Sequence, residues 1–171
     1  GMRYSIHGIV DATDIARVSE LSGLSEQRCK ELIDYLSVHT DVVPKDDDDE
    51  LEALDYALAS LAIEVAVTRH AGHLEQYYSP MGISYMQIGK DLTAVKTVIV
   101  TGGALIHTKR TAQIASHALF NPLDAFSLKP KEAQVLVDRK YILAAMGILS
   151  TEYPQTALRI MKKELVKDGN H

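Results

Sequence analysis

Tryptophan is absent from the 171-residue chain, and Cys29 is the only cysteine. A single cysteine cannot form a disulfide within the chain or build a thiolate cluster around a metal ion, so we expect a reducing compartment, the cytoplasm. The chain has no run of about 18 apolar residues that could cross a bilayer, and no secretion signal at its start. These absences argue against a membrane protein. Gly1 precedes Met2, which is typical of a scar left by tag removal and favours a longer natural protein.

A concentrated basic surface is also missing, since the formal net charge is -5. Neutralising phosphates requires such a surface, so we expect no general nucleic-acid binding. Aromatic residues are few, and aliphatic residues with alanine dominate. This mixture favours helices packed on a small sheet over an all-β sandwich.

Two short helices joined by a turn are predicted near the start of the chain. We expect Asp11 to cap the first, Gly23 to end it and Ser25 to cap the second. The spacing resembles a DNA-binding helix-turn-helix, but the second helix is acidic, which favours a helical hairpin packed on a core. The apolar positions are Ile15, Val18 and Leu21 in the first helix and Cys29, Leu32, Ile33 and Leu36 in the second.

An acidic run at residues 46–50 precedes a long segment rich in alanine and aliphatic residues. Residues 51–71 predict one largely buried helix, and acids at its first turn are favoured by the free N–H groups and the helix dipole. A calcium loop is the alternative, but the alternating ligands and the bend glycine of an EF-hand are absent. For His70 and His73, contacts with the last helical carbonyls are favoured over metal binding, because no third ligand is nearby.

The pattern predicts one lobe with a helical part over residues 1–71 and an α/β part over residues 72–171. Thr97–Thr101 is a β-branched run that predicts a strand buried on both faces. The other predicted elements are a hairpin around Pro80, a helix within 107–120, an extended segment at 135–137, a helix over 139–149 capped by Asp138, and a last helix from Pro154 to about Val166.

A glycine pair, Gly102-Gly103, directly follows the predicted strand, and Ala104 and Leu105 lead on toward a helix. Open α/β sheets bind ligands at the carboxyl ends of their strands, and paired glycines let the backbone approach a flat or charged ligand. A tight turn or close strand–helix packing would use the same residues. The glycine pair alone therefore leaves both interpretations open.

The segment from Val98 to Ile106 resembles the adenosine motif of the actin/Hsp70/sugar-kinase superfamily. The downstream run Ala144-Ala145-Met146-Gly147 resembles the small-residue helix that packs beside that motif. The resemblance implies an α/β fold of the actin/Hsp70-like (ribonuclease H-like) ATPase type, of which this chain would be a C-terminal lobe. It also implies that nucleotide is bound by Thr101, Gly102, Gly103, Ala104 and Leu105.

Four successive blocks resemble the MutL/GlmL family of ATPase-like proteins. They are residues 69–72, 87–96, 98–106 and 136–147. The resemblance implies a chaperone-like ATPase that reactivates an adenosylcobalamin-dependent mutase such as glutamate mutase. ATP or ADP with magnesium would be bound by the intact protein, and the mutase subunit would be its partner. The family shares a name with a mismatch-repair protein, but nothing in the resemblance implies DNA repair.

The chain departs from the superfamily pattern in its phosphate-binding parts. An Asp-containing, glycine-rich phosphate loop is needed, but no glycine follows Asp11 in that pattern. We therefore expect a separate N-terminal ATPase lobe as a further partner, and no independent hydrolysis by this chain, because phosphoryl transfer needs metal, phosphate clamp and positioned water together. No catalytic residue and no metal ligand is assigned.

Charged residues near the motif have structural interpretations that outweigh functional ones. Lys90 and Asp91 are expected in a turn rather than on a phosphate or metal, and Asp138, Arg139 and Lys140 in helix capping and on the surface. Two rival functions stay open. One is a protein-interaction module without nucleotide binding, in which the glycines serve only close packing, and the other is a small-molecule kinase, which would need a catalytic carboxylate that this chain does not offer.

Overall fold

The computed structural model describes residues 2–44 and 48–167. Part of the acidic run, residues 46 and 47, lies outside these ranges, as does Gly1. A short 3-10 turn at Met2–Ser5 comes first. The helices are α1 (Ile6–Thr13), α2 (Ile15–Ser22), α3 (Glu26–Val38), α4 (Asp49–His70), α5 (Gly103–Ile106), α6 (Thr111–Ser116), α7 (Leu143–Leu149) and α8 (Pro154–Glu164), and the strands are β1 (His73–Ser79), β2 (Gly82–Ile88), β3 (Thr97–Val100), β4 (Gln134–Val137) and β5 (Val166–Lys167). The fold is mixed α/β, rich in helix with small sheets, as predicted.

Helices α1 to α3 pack on the first half of α4. The Ser25 side chain accepts a hydrogen bond from the Arg28 N–H (3.2 Å), and Gly23 ends α2 with a φ of 73°, so both predictions are confirmed. The prediction that Asp11 caps a helix is wrong. Asp11 lies inside α1, which Ile6 and Ile9 anchor in the core, and Asp14 caps α2 instead. The helical spacing of apolar residues thus begins earlier in the chain than predicted.

Helix α4 is buried only over its first half. Its N-terminal cap is Asp48, whose carboxylate accepts from the Leu51 N–H at 3.1 Å. Residues from Leu51 to Leu61 include seven that are buried, whereas Ala66 and residues 68–70 are exposed. The prediction of a largely buried helix therefore holds for the first half of α4 but not for its exposed C-terminal end. A helix of 22 residues is about 33 Å long, much longer than the helices that cover it.

Strands β1 and β2 form the predicted hairpin. They pair antiparallel from His73↔Ile88 to Ser79↔Gly82. Gly72, between α4 and β1, lies directly against the end of β2, because a Cβ at this position would stand 2.3 Å from the Ile88 carbonyl oxygen. Only glycine permits this approach of two backbones.

A second sheet has the strand order β3-β4-β5, with β3 parallel to β4 and β5 antiparallel to it. Val100 and Val137 are buried at its core, but Ile99 is 44% exposed, so the prediction that β3 is buried on both faces is wrong. The strand lies at the edge of a three-stranded sheet, and burial on both faces requires helices on both. The short strand β5 was not predicted.

Helix α4 also joins the helical part to the α/β part. The Arg110 guanidinium lies 3.2 Å from the centre of the Tyr56 ring. The His117 Nδ1 lies 3.2 Å from the Glu64 carboxylate. Among the residues described here, no helix is both long and apolar enough to span a membrane.

Candidate functional site

The carboxyl ends of β3 and β4 lie side by side. The two strands are parallel, with Val100 opposite Val137, and the Asp138 N–H extends the pairing by donating to the Val100 carbonyl at 2.9 Å. Parallel strands end at the same edge of a sheet, so the segments that follow them face each other. The loop at residues 101–102 with the start of α5, and the loop at residues 138–142, therefore lie side by side at this edge. We call the space between them the strand-end crevice, and this edge is the usual ligand position in an open α/β sheet.

The two glycines of the strand-end crevice are not explained by close packing. Gly102 has a φ of 106°, which requires glycine, and a Cβ there would meet nothing within 4 Å. A Cβ at Gly103 would make only an ordinary contact, 3.4 Å from the Tyr141 hydroxyl oxygen. Close packing instead explains Gly72, where a Cβ would stand 2.3 Å from the Ile88 carbonyl oxygen. The space beside Gly102 is thus open to a ligand.

Asp138 connects the two loops. It is 2% exposed, and its carboxylate accepts from the Ile142 N–H (3.0 Å) and the Leu143 N–H (3.1 Å). The Thr101 hydroxyl donates to the same carboxylate at 3.4 Å. The Asp138 carboxylate thus binds backbone N–H groups at the start of α7, but the prediction that Asp138 is the N-cap residue is wrong, because α7 begins at Leu143 rather than Arg139 and its N-cap is Ile142. The reason is Tyr141, whose φ of 54° interrupts the helical backbone.

The five residues predicted to bind nucleotide lie on the first loop and on α5. Thr101, Gly103 and Ala104 are exposed, and Gly102 is half-buried. Leu105 packs against the core beneath the crevice, which includes Val100 and Val137. Leu105 could therefore support the loop from below. Nucleotide binding by these five residues stays a prediction.

Tyr141 is a site residue that the sequence analysis missed. Its ring is 52% exposed and its hydroxyl lies over Gly103. The local pattern does not predict this residue, because tyrosine rarely adopts a positive φ. Glycine and asparagine are the residues that sequence analysis associates with this conformation.

The charged residues near the motif have structural partners. The Asp91 carboxylate accepts from the Thr93 hydroxyl (2.6 Å) and N–H (2.9 Å), and these bonds lower the pKa of Asp91. The Arg139 guanidinium donates to the Ile106 carbonyl at 3.2 Å. Lys140 is 2.6 Å from the Glu164 carboxylate. The turn interpretation of Asp91 is confirmed, and the cations of the second loop point to protein oxygens.

Two surface depressions lie away from the strand-end crevice. One, of about 410 Å³, lies between α1, α2 and α4 and includes Arg17 and Glu64. Another, of about 430 Å³, is lined by Arg28, Tyr35 and Glu50. Both are open grooves between helices, bordered by surface ion pairs. Over residues 2–44 and 48–167, no group of three or more His, Cys, Asp or Glu side chains could hold a metal ion.

Comparison with known proteins identifies the family. The family model described as MutL protein matches residues 1–165. "Protein MutL" of Clostridium tetanomorphum is 40% identical to the chain over 173 residues, which cover 98% of this chain and 36% of that protein. The chain thus spans about a third of the length of this curated relative. No solved structure matches. The match over nearly the whole sequence confirms the predicted resemblance, and the chain belongs to the MutL protein family.

Proposed function

We propose that this chain supplies the adenosine side of the nucleotide site in a chaperone-like ATPase that reactivates an adenosylcobalamin-dependent mutase. The observation that carries the proposal is the strand-end crevice. A glycine with a φ of 106° opens onto free space there, and a buried carboxylate fixes the two bordering loops. A site whose loops are already held in place loses little entropy when a ligand binds.

The charges around the crevice favour a neutral nucleoside over phosphate. Asp138 places a carboxylate at its base, while Arg139 and Lys140 contact other groups. An anionic phosphate would find no cation directed toward it among these three residues. The phosphates and magnesium of ATP or ADP would then be held outside this crevice, by an N-terminal lobe of the actin/Hsp70 type in the full-length protein. This chain would be the C-terminal lobe of that fold, a single lobe of residues 1–171 in the cytoplasm.

Nucleotide bound between two lobes would link the nucleotide state to the affinity of the protein for the mutase. A ligand shifts a conformational equilibrium only through different affinities for its states. Adenosine held by residues 101–105 and phosphates held by the other lobe would favour the closed arrangement. Hydrolysis of ATP or exchange of the nucleotide would release the closed arrangement. Glutamate mutase, which the family resemblance suggests, is the proposed partner.

Calorimetric titration of the full-length protein with ADP and ATP, in magnesium, tests the proposal. We expect binding by the wild type and its loss in Gly103→Leu, because the new side chain would enter the crevice. The matched control is Gly8→Leu on the exposed face of α1, where a Cβ meets nothing within 4 Å. It should bind as the wild type does. A folded wild-type protein that binds neither nucleotide would refute the proposal.

A second function, a protein-interaction module without nucleotide, is favoured by the hairpin. Tyr78 and Ile83 lie opposite each other, and both are largely exposed. A two-stranded hairpin is at best marginally stable alone, and exposed apolar clusters mark contact surfaces. The variant Tyr78→Ser with Ile83→Thr should weaken binding of purified glutamate mutase without lowering the melting temperature. Tyr4→Ser, equally exposed elsewhere, is the control, and equal mutase binding by all three proteins would contradict this function.

A further inference from the structure

Tyr141 departs from the ordinary backbone. Among the residues in the described ranges, only Asp14 and Tyr141 combine a side chain with a positive φ. Asp14 is accounted for by its capping bond to α2. A bulky aromatic residue in this conformation costs free energy that glycine or asparagine would not cost. A tyrosine at this position therefore needs a reason in its side chain.

Asp138 holds Tyr141 in this conformation. The Tyr141 N–H donates to the Asp138 carbonyl at 3.4 Å, and the next two N–H groups donate to the Asp138 carboxylate. The backbone on both sides of Tyr141 is thus fixed by one residue. A strained conformation persists only where its surroundings determine it in this way, and such positions concentrate at ligand sites.

The ring of Tyr141 belongs to neither apolar core of the described chain, and its hydroxyl makes no hydrogen bond with described residues. Half of its surface is open. The hydroxyl end lies beside Gly103, with its oxygen 3.4 Å from the position that a Cβ there would take.

We infer that Tyr141 is a specificity-determining residue of the strand-end crevice, where its ring stacks on the base of a purine nucleotide. An exposed aromatic ring beside a residue without a Cβ offers a face on which a flat ligand can stack. Purines have a larger ring face than pyrimidines and gain more from stacking. The ring must turn away from Gly103 to admit the base, and its open surface leaves room for that rotation. This inference rests on the proposed nucleotide-binding function.

The test compares the full-length wild type with Tyr141→Ala and Tyr141→Phe, each titrated with ADP and with UDP in magnesium. We expect Tyr141→Ala to weaken ADP binding about tenfold or more, from the usual contribution of base–aromatic stacking. UDP binding should change less. Tyr141→Phe keeps the ring and should bind ADP within about threefold of the wild type. Thermal melting of each variant reports separately on folding.

The outcomes separate this inference from the function on which it rests. ADP binding by the wild type that is unchanged in a folded Tyr141→Ala would overturn the role of Tyr141 and leave the nucleotide site standing. Tighter ADP binding by Tyr141→Ala would also overturn it, since the ring would then only obstruct the crevice. Absence of ADP binding by the folded wild type would overturn both.

Discussion

Replacing Asp138 by alanine should loosen both loops of the strand-end crevice at once. The carboxylate receives two backbone N–H groups at 3.0 and 3.1 Å and the Thr101 hydroxyl at 3.4 Å. Alanine removes all three acceptors. The amides of Ile142 and Leu143 are half-buried, so water replaces the carboxylate only in part.

The magnitude follows from these bonds. A hydrogen bond to a charged group contributes about 1.5–3 kcal/mol, and the long hydroxyl contact adds little. Alanine also removes the cost of burying a charged carboxylate, which offsets part of the loss. We expect Asp138→Ala to lower the free energy of unfolding by roughly 2–4 kcal/mol. This corresponds to a fall in melting temperature of roughly 5–15 °C for a chain of this size.

Asp138→Asn refines the prediction because it keeps the shape of the side chain. The amide offers one acceptor oxygen and turns its NH2 toward the other backbone N–H, so one bond is lost and two donors face each other. A cost of about 1–3 kcal/mol is expected. Asp34→Asn, on the exposed face of α3, is the matched control and should change stability by less than about 0.5 kcal/mol.

Urea unfolding followed by circular dichroism measures the stability, and amide hydrogen exchange measured by NMR locates the effect. The Ile142 and Leu143 amides should exchange faster in Asp138→Ala, whereas amides in the core of α4 should report only the global loss. Unfolding free energies within about 0.5 kcal/mol of the wild type, with unchanged exchange at the two amides, would refute the claim that Asp138 holds the loops.

Two further predictions concern the hairpin. Gly72→Ala should destabilise the protein by about 3 kcal/mol or more in the same urea assay, because its Cβ would collide with fixed backbone at Ile88. The unfolding free energy of Gly103→Ala should stay within about 0.5 kcal/mol of the wild-type value. Equal destabilisation by Gly72→Ala and Gly103→Ala would contradict this difference between the two glycines. Tyr77→Phe should raise the pKa of Glu75, measured by NMR titration, because the Tyr77 hydroxyl bond at 2.6 Å is the main cause that lowers it. The lowered pKa of Glu75 stabilises the fold at pH values above the pKa of the unfolded chain, and this stabilisation is lost as the pH falls through the pKa of the folded state. The unfolding free energies of wild type and variant should therefore differ least in acid. A Glu75 pKa that Tyr77→Phe leaves unshifted would count against this bond.

Local signals predicted most of the elements. Ser25 and Pro154 mark helix starts, Gly23 marks a helix end, and the turn at Pro80 marks the hairpin, because capping and turn chemistry act within a few residues. The wrong predictions concern features that depend on contacts between residues far apart in the sequence. The exposure of Ile99 depends on how many helices cover the sheet, and the short strand β5 forms only because β4 offers it an edge.

The family and one half of the candidate site follow from the amino-acid sequence alone. A β-branched run followed by Gly102-Gly103 is a local pattern, and each residue type in it has a local reason. The residues that lie opposite this pattern depend on the fold. Thr101 and Asp138 are 37 residues apart, and Tyr141 reaches Gly103 because β3 and β4 pair in parallel with Val100 beside Val137. That register is set by the shared core beneath the sheet. The core is formed by segments that are distant in the sequence, so a local hydrophobic pattern does not predict it.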